Sequence, residues 1–165
     1  MGYEGQEIGR FVAQLCAMGV SRLVDVRLTP ISRKRGFSKT ALAQALADAG
    51  IVYEHRRELG NPKANRPGFT GPPEKLAEAR AAYATLLARV EAAEALDAVV
   101  DAGRRELVAL LCFEADQRSC HREVVLQAAQ ERFGAGPSSL GPKKLGCVAR
   151  TFQPFRCCHS CRPWR

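Results

Sequence analysis

Cys112 and Glu114, followed after a short polar stretch by Cys120-His121-Arg122, are the residues whose types and spacing could do chemistry in this chain. Read as a helix start, residues 119–122 offer free amide donors and the positive end of a helix dipole, both of which favour anions. The same field would lower the pKa of Cys120 and raise its thiolate fraction. Arg122 could clamp a phosphate or carboxylate, and Glu114 or His121 could move protons. Each residue also has a plainer reading. Cys112 lies in an apolar run and reads as a small core residue or a wall of the site, and Cys120 could be an ordinary helix cap.

Placing these residues requires a scaffold. Ile8, Phe11, Val12, Leu15 and Val20 recur at helical spacing, which predicts a helix over residues 6–19 that ends at Gly19. The β-rich run 22–28 predicts a strand, stopped by Thr29-Pro30 and followed by a basic loop to Gly36. Ser38 can cap a helix carrying Leu42, Ala45 and Leu46 and ending at Gly50. Residues 51–54 predict a second strand, and the Gly/Pro/Asn-rich stretch 59–73 a functional loop. Residues 74–102 read as one long helix, or two broken near Ala92, with Gly103 as the stop. Residues 107–113 are the most apolar run and read as a central strand buried on both faces. A polar loop 114–119 and a helix 120–133, closed by Gly134, complete the pattern. Strands alternating with helices predict a single α/β domain with a small, mostly parallel sheet flanked by helices.

In such a sheet, ligands sit beyond the carboxyl ends of the strands. Asp25, Arg27 and Ser32-Arg33 follow the first strand, Tyr53, Glu54 and His55 end the second, and Cys112 and Glu114 end the third. Their convergence predicts a site with Cys120, Glu114, Asp25 and His121 as catalytic groups. Arg27, Arg33, Tyr53, His55 and Arg122 would bind substrate. The competing readings are that Asp25 pairs with an arginine, that His55 is a satisfied loop histidine, and that Arg33, Lys34, Arg35 and Lys39 form a solvated face.

Bulk properties narrow the class. The 165 residues suit one domain, and 46% hydrophobic and 25% charged content is ordinary for a globular protein. A chain of this size can bury a core without staples, so the seven cysteines need not form disulfides. No targeting segment or membrane-spanning run is visible, which makes the cytoplasm, with reduced thiols, the expected location. The net charge is +8, of which residues 135–165 carry +6, leaving +2 for residues 1–134. Within that core, residues 27–66 carry +6 and residues 67–134 carry −3, so a local basic surface is expected. Cys112, Cys120 and His121 could supply three metal ligands, yet their spacing matches no standard zinc knuckle, and Cys147 with Cys157-Cys158-His159-Ser160-Cys161 lacks paired Cys-x-x-Cys spacing. No metal and no cofactor are assigned. Residues 135–165 read as a basic, Gly/Pro/Cys-containing, poorly ordered tail.

One further pattern joins these segments. Gly2-Tyr3-Glu4-Gly5, Val24-Asp25-Val26-Arg27, Pro30 with Ser32-Arg33, Phe37-Ser38, Tyr53, Leu59-Gly60, Leu111-Cys112-Phe113-Glu114 and Cys120-His121-Arg122 follow in order. Over residues 2–134 this resembles the domain of unknown function 488 (DUF488) family of small bacterial and archaeal proteins. The resemblance implies a compact α/β domain with these motifs at its site, and no established reaction. Members usually carry a strand before the Gly-Tyr-Glu-Gly segment and another after the last helix. By that comparison both edge strands are expected to be missing here, through a misplaced start codon or an altered reading frame. The expected function is an enzyme acting on an anionic nucleotide or nucleic acid at a Cys/Glu/Arg site. Alternatives are a non-catalytic nucleic-acid or nucleotide-binding module and a thiol-based redox or metal-binding protein, and whether it is an enzyme stays open. No membrane partner is expected.

Overall fold

The computed structural model describes residues 1–134. The three β-rich runs become strands β1 (Arg22–Asp25), β2 (Val52–His55) and β3 (Val108–Leu111), all parallel, in the order β2-β1-β3. The helices are α1 (Ile8–Ala17), α2 (Lys39–Asp48), the single turn α3 (Arg66–Phe69), α4 (Pro73–Leu87), α5 (Val90–Arg105) and α6 (Arg122–Gly134). The result is the expected α/β domain with a small parallel sheet between helices.

The two faces of the sheet follow from the period-2 alternation of a strand. Leu23 packs with Phe11 and Leu15 of α1 and with Leu42 and Leu46 of α2. Val24 and Val26 point the other way, into a core with Tyr83 of α4, Leu96 and Val100 of α5, and Val125 of α6. Helix α2 stops where expected, at Gly50, which adopts φ +71, a conformation that costs glycine least.

Several expectations need correction. The central strand is β1, whose last three residues are buried, whereas β3 lies beside it with Val108, Ala109 and Leu110 only partly buried. An apolar run reports burial without saying which neighbours supply it. On the far side of β3, Gly2 makes a parallel bridge to Cys112, and the Cys112 amide donates to the Met1 carbonyl at 3.2 Å. Among the described residues the segment before α1 thus adds one isolated bridge beside β3 and no fourth strand.

Helix α5 does not stop at Gly103 but runs on to Arg105. That glycine is a packing residue: a Cβ on it would lie 3.3 Å from the Phe133 ring of α6. The break in the 74–102 stretch falls at Ala88–Arg89, before Ala92, and Arg89 is extended. The stretch after β2 is more ordered than a loop, folding into turns at Arg57–Leu59 and Lys63–Asn65 and then α3. Among the described residues no helix is long and apolar enough to cross a membrane. The expected tail, 135–165, and the comparison made for the chain's end lie outside the described residues.

Candidate functional site

The chain runs from β1 out to β2 and then crosses back past β1 to β3, so the strand order reverses at β1 and a crevice opens beyond the strand ends, the usual ligand position in a parallel sheet. A cleft of about 440 Å³ opens there. Its walls come from the loop after β1, the segment after β3, the turn leading into α6, and the folded stretch around Asn61 and Arg66. Of the residues expected at the site, Cys120, Glu114, His121, Arg27, Arg33 and Cys112 all line it. Asp25, Tyr53, His55 and Arg122 stand behind that surface.

At the floor of the cleft, the sulfur of Cys120 is surrounded by polar groups. It lies 3.1 Å from Glu114 Oε2 and 3.7 Å from His121 Nδ1, and it accepts a hydrogen bond from Arg122 Nε at 3.2 Å. Cys112 Sγ is 3.9 Å from the same Nδ1. His121 Nε2 donates to the Val26 carbonyl at 3.0 Å, which fixes the ring with Nδ1 toward the two sulfurs. Below it, Tyr83 packs edge-on against the imidazole at 5.2 Å between ring centres. Arg122 reaches past Cys120 to donate to the Glu114 carbonyl as well.

These contacts set the proton preferences. The Cys112 thiol, hydrogen-bonded to Cys120, holds the Cys120 thiol well below its ordinary value, helped by His121 and Arg122 and opposed by burial. Cys112 moves up, because its bond to Cys120, burial and the neighbouring negative charges all favour its protonated form. Burial, then the charge of Cys120, pushes the Glu114 carboxyl up. The two groups thus divide the protons so that Cys120 is the better anion and Glu114 the better acid.

A second polar cluster is paired within itself. Asp25, fully buried, accepts from Arg27 Nε at 2.9 Å, Arg27 NH2 at 2.6 Å, the Arg27 amide at 3.0 Å and the Tyr53 hydroxyl at 2.6 Å. Arg27 NH1 donates to the Tyr3 hydroxyl at 3.1 Å and the Phe37 carbonyl at 2.9 Å. Most of the five guanidinium donors are therefore committed inside the protein, and the charge of Arg27 is already matched. Against burial, which acts to lower it, the bond with Asp25 raises the Arg27 pKa. Tyr53 is raised by burial and by Asp25, so its hydroxyl stays a donor. His55 Nε2 donates to the Arg27 carbonyl at 2.9 Å, the plain loop role considered for it.

The less committed cationic groups at the cleft are Arg33, Lys34 and Arg66, with Lys34 Nζ 4.0 Å from the exposed Glu7 Oε1. Arg33 makes no ion pair among the described residues, and Arg66 is held only by a bond from Nε to the Asn61 carbonyl at 3.1 Å. Phe113 and Ile31 add apolar surface, 47% and 77% exposed, to the same walls. Residue types alone did not single out Tyr3, Tyr83, Asn61 or Phe113. Tyr3 could have been found from its place in the Gly-Tyr-Glu-Gly segment, whereas nothing chemical distinguishes Tyr83 from any apolar residue on α4. Its hydroxyl donates to the Leu59 carbonyl at 2.6 Å. Tyr83→Phe strands that buried acceptor and should lower unfolding free energy by about 1–3 kcal/mol, measured by urea denaturation. An unchanged midpoint would show the bond to be dispensable.

A family model described as Domain of unknown function DUF488 matches residues 7–129. Comparison with curated proteins and with solved structures gives no match. The matched span covers the three strands, every cleft-lining residue except Tyr3, and both Cys112 and Cys120, and so the chain belongs to the DUF488 family.

Proposed function

We propose that this domain is an enzyme that acts on an anionic substrate, of nucleotide or nucleic-acid type, with Cys120 as nucleophile. The observation that carries the reading is the setting of the Cys120 sulfur at the cleft floor, 3.2 Å from Arg122 Nε and 3.7 Å from His121 Nδ1. A sulfur so placed, beneath a mouth carrying Arg33, Lys34 and Arg66, meets a substrate whose negative group those cations have drawn in. Glu114, in contact with the same sulfur, is the acid or base for the leaving group. Phe113 offers a face for a base to stack on.

The test is iodoacetamide labelling of the metal-free, reduced full chain at neutral pH, with each cysteine followed by peptide mapping. Cys120 is expected to react about tenfold faster than the same thiol in the urea-unfolded chain. A mononucleotide or a short single-stranded oligonucleotide is expected to slow that reaction, and Arg33→Glu to weaken the protection. If Cys120 reacts no faster than an unfolded thiol, the nucleophile reading fails. If protection occurs without enhanced reactivity and falls steeply with salt, the domain is a polyanion-binding module instead.

A further inference from the structure

We infer that Cys112, Cys120 and His121 form a binding site for a single zinc-class divalent cation, with its fourth position open to the cleft. The sequence separates Cys112 from the Cys120-His121 pair, and only the fold brings them together, from the end of β3 and the turn before α6. Their ligand atoms, two sulfurs and Nδ1, all lie within 4.8 Å of one another.

The separations suit a metal more closely than they suit hydrogen bonds. A tetrahedral ion with Zn–S of about 2.3 Å and Zn–N of about 2.0 Å sets sulfur and nitrogen ligands about 3.6 Å apart. The sulfur-to-Nδ1 distances are 3.7 Å from Cys120 and 3.9 Å from Cys112, long for direct hydrogen bonding but close to that tetrahedral edge. The imidazole is also held as a metal-binding histidine requires. Nε2 donates to the Val26 carbonyl at 3.0 Å, which leaves Nδ1 as the free ligand atom and prevents ring rotation. Arg122 Nε donates to the Cys120 sulfur, a contact that offsets the charge a second thiolate brings to a divalent ion. Two thiolates and one imidazole are the ligand set of a zinc centre that keeps an open position.

The cleft reaches Cys112, Cys120 and His121, so the fourth ligand is a water or an anion entering past Arg33 and Arg66. The inference goes beyond the nucleophile reading, and the two states exclude each other. A cation on Cys120 occupies the sulfur lone pair that would attack a substrate, so the loaded protein is the thiol-inert form.

Cobalt(II) titration of the reduced, metal-free full chain tests this. One equivalent is expected to produce the intense visible bands of tetrahedral cobalt with thiolate-to-cobalt charge transfer, and Zn²⁺ is expected to displace it. Cys112→Ser and His121→Asn should each weaken binding at least about tenfold. The tail variant Cys157→Ser with Cys158→Ser and Cys161→Ser should bind as the parent does. As a second measurement that needs no variant, one equivalent of Zn²⁺ should protect both Cys112 and Cys120 of the parent chain from iodoacetamide. Bands that lack thiolate character, or that vanish in the tail variant, would overturn the site. Fast labelling of Cys120 with no cobalt bound would remove the metal inference and leave the nucleophile reading standing. Tight cobalt binding with a sluggish metal-free Cys120 would do the reverse.

Discussion

Replacing Asp25 with Asn lowers the unfolding free energy by about 3–5 kcal/mol, the cost of leaving a buried charge without its partner. Asp25 is fully buried and Arg27 is 6% exposed, so neither charge has water to fall back on. The carboxylate answers the guanidinium through both Nε and NH2, and the remaining guanidinium contacts go to Tyr3 and Phe37. An amide in place of the carboxylate presents one oxygen instead of two and no charge, leaving Arg27 buried and uncompensated. Arg27→Met should cost a similar amount, because Asp25 then becomes the stranded ion. The double variant Asp25→Leu with Arg27→Met should lose much less than the sum of the singles, since the penalty belongs to the unpaired charge rather than to the missing contact. Urea denaturation followed by circular dichroism measures all three. A loss below about 1 kcal/mol in either single variant would show that the pair is solvated and this account wrong.

The outcome also bears on chemistry. Asp25 was one of the expected acid–base groups, and a catalytic aspartate replaced by asparagine leaves a folded protein that has lost only its reaction. The buried ion pair predicts the opposite emphasis, a stability defect first. Through the Arg27 amide and guanidinium, Asp25 fixes the chain leaving β1, and that chain supplies the Val26 carbonyl that orients His121. Asp25 thus acts on Cys120 at a distance, by holding the wall against which the histidine is set.

The parts of the fold that were legible are those written in periodicity. Helical spacing from Ile8 to Val20 marks α1, and the alternation of Leu23 and Val24 marks a strand with two covered faces. The chemical run at Cys120-His121-Arg122 was legible for a related reason: three functional side chains stand together in sequence, so no folding is needed to see them as a group. The network around Asp25 was legible only as far as a pairing with an arginine, because the other members, Tyr3, Phe37 and Tyr53, come from three distant segments. Strand order was hidden likewise. The apolar run of β3 outweighs that of β1, yet β1 takes the centre because the crossover from β2 passes it to place β3 on its other side. Meanwhile Arg27 looked like an anion clamp by type, and only its contacts show that its donors are spent. Arg33 and Lys34, for which a solvated face is the competing reading, line the cleft together with Arg66, which that reading does not include.

Gly60→Ala is expected to disturb both stability and the cleft, although the residue carries no functional group. Gly60 has φ −82, which any residue adopts, so the constraint on it is space rather than conformation. A Cβ there would lie 2.4 Å from the Leu28 Cα and 2.8 Å from the Leu28 nitrogen, both backbone atoms that cannot turn aside. The loop after β1 and the turn at residues 57–60 must separate to admit one methyl group. Overpacking of this kind costs about 1–3 kcal/mol. The displacement falls on cleft-lining residues, since Leu28 lies on one side of the contact and Asn61 follows directly on the other. Nucleotide protection of Cys120 from iodoacetamide should therefore weaken along with the denaturation midpoint. Gly9→Ala supplies the control: Gly9 lies within α1, a Cβ there meets nothing within 4 Å, and alanine favours a helix interior over glycine by about 0.5–1 kcal/mol. Should Gly60→Ala match the parent in both stability and protection, the close approach at Leu28 does not shape the cleft. Should stability fall while protection holds, Leu28 gives way without moving the cation rim, and the site depends on the α6 side of the cleft alone.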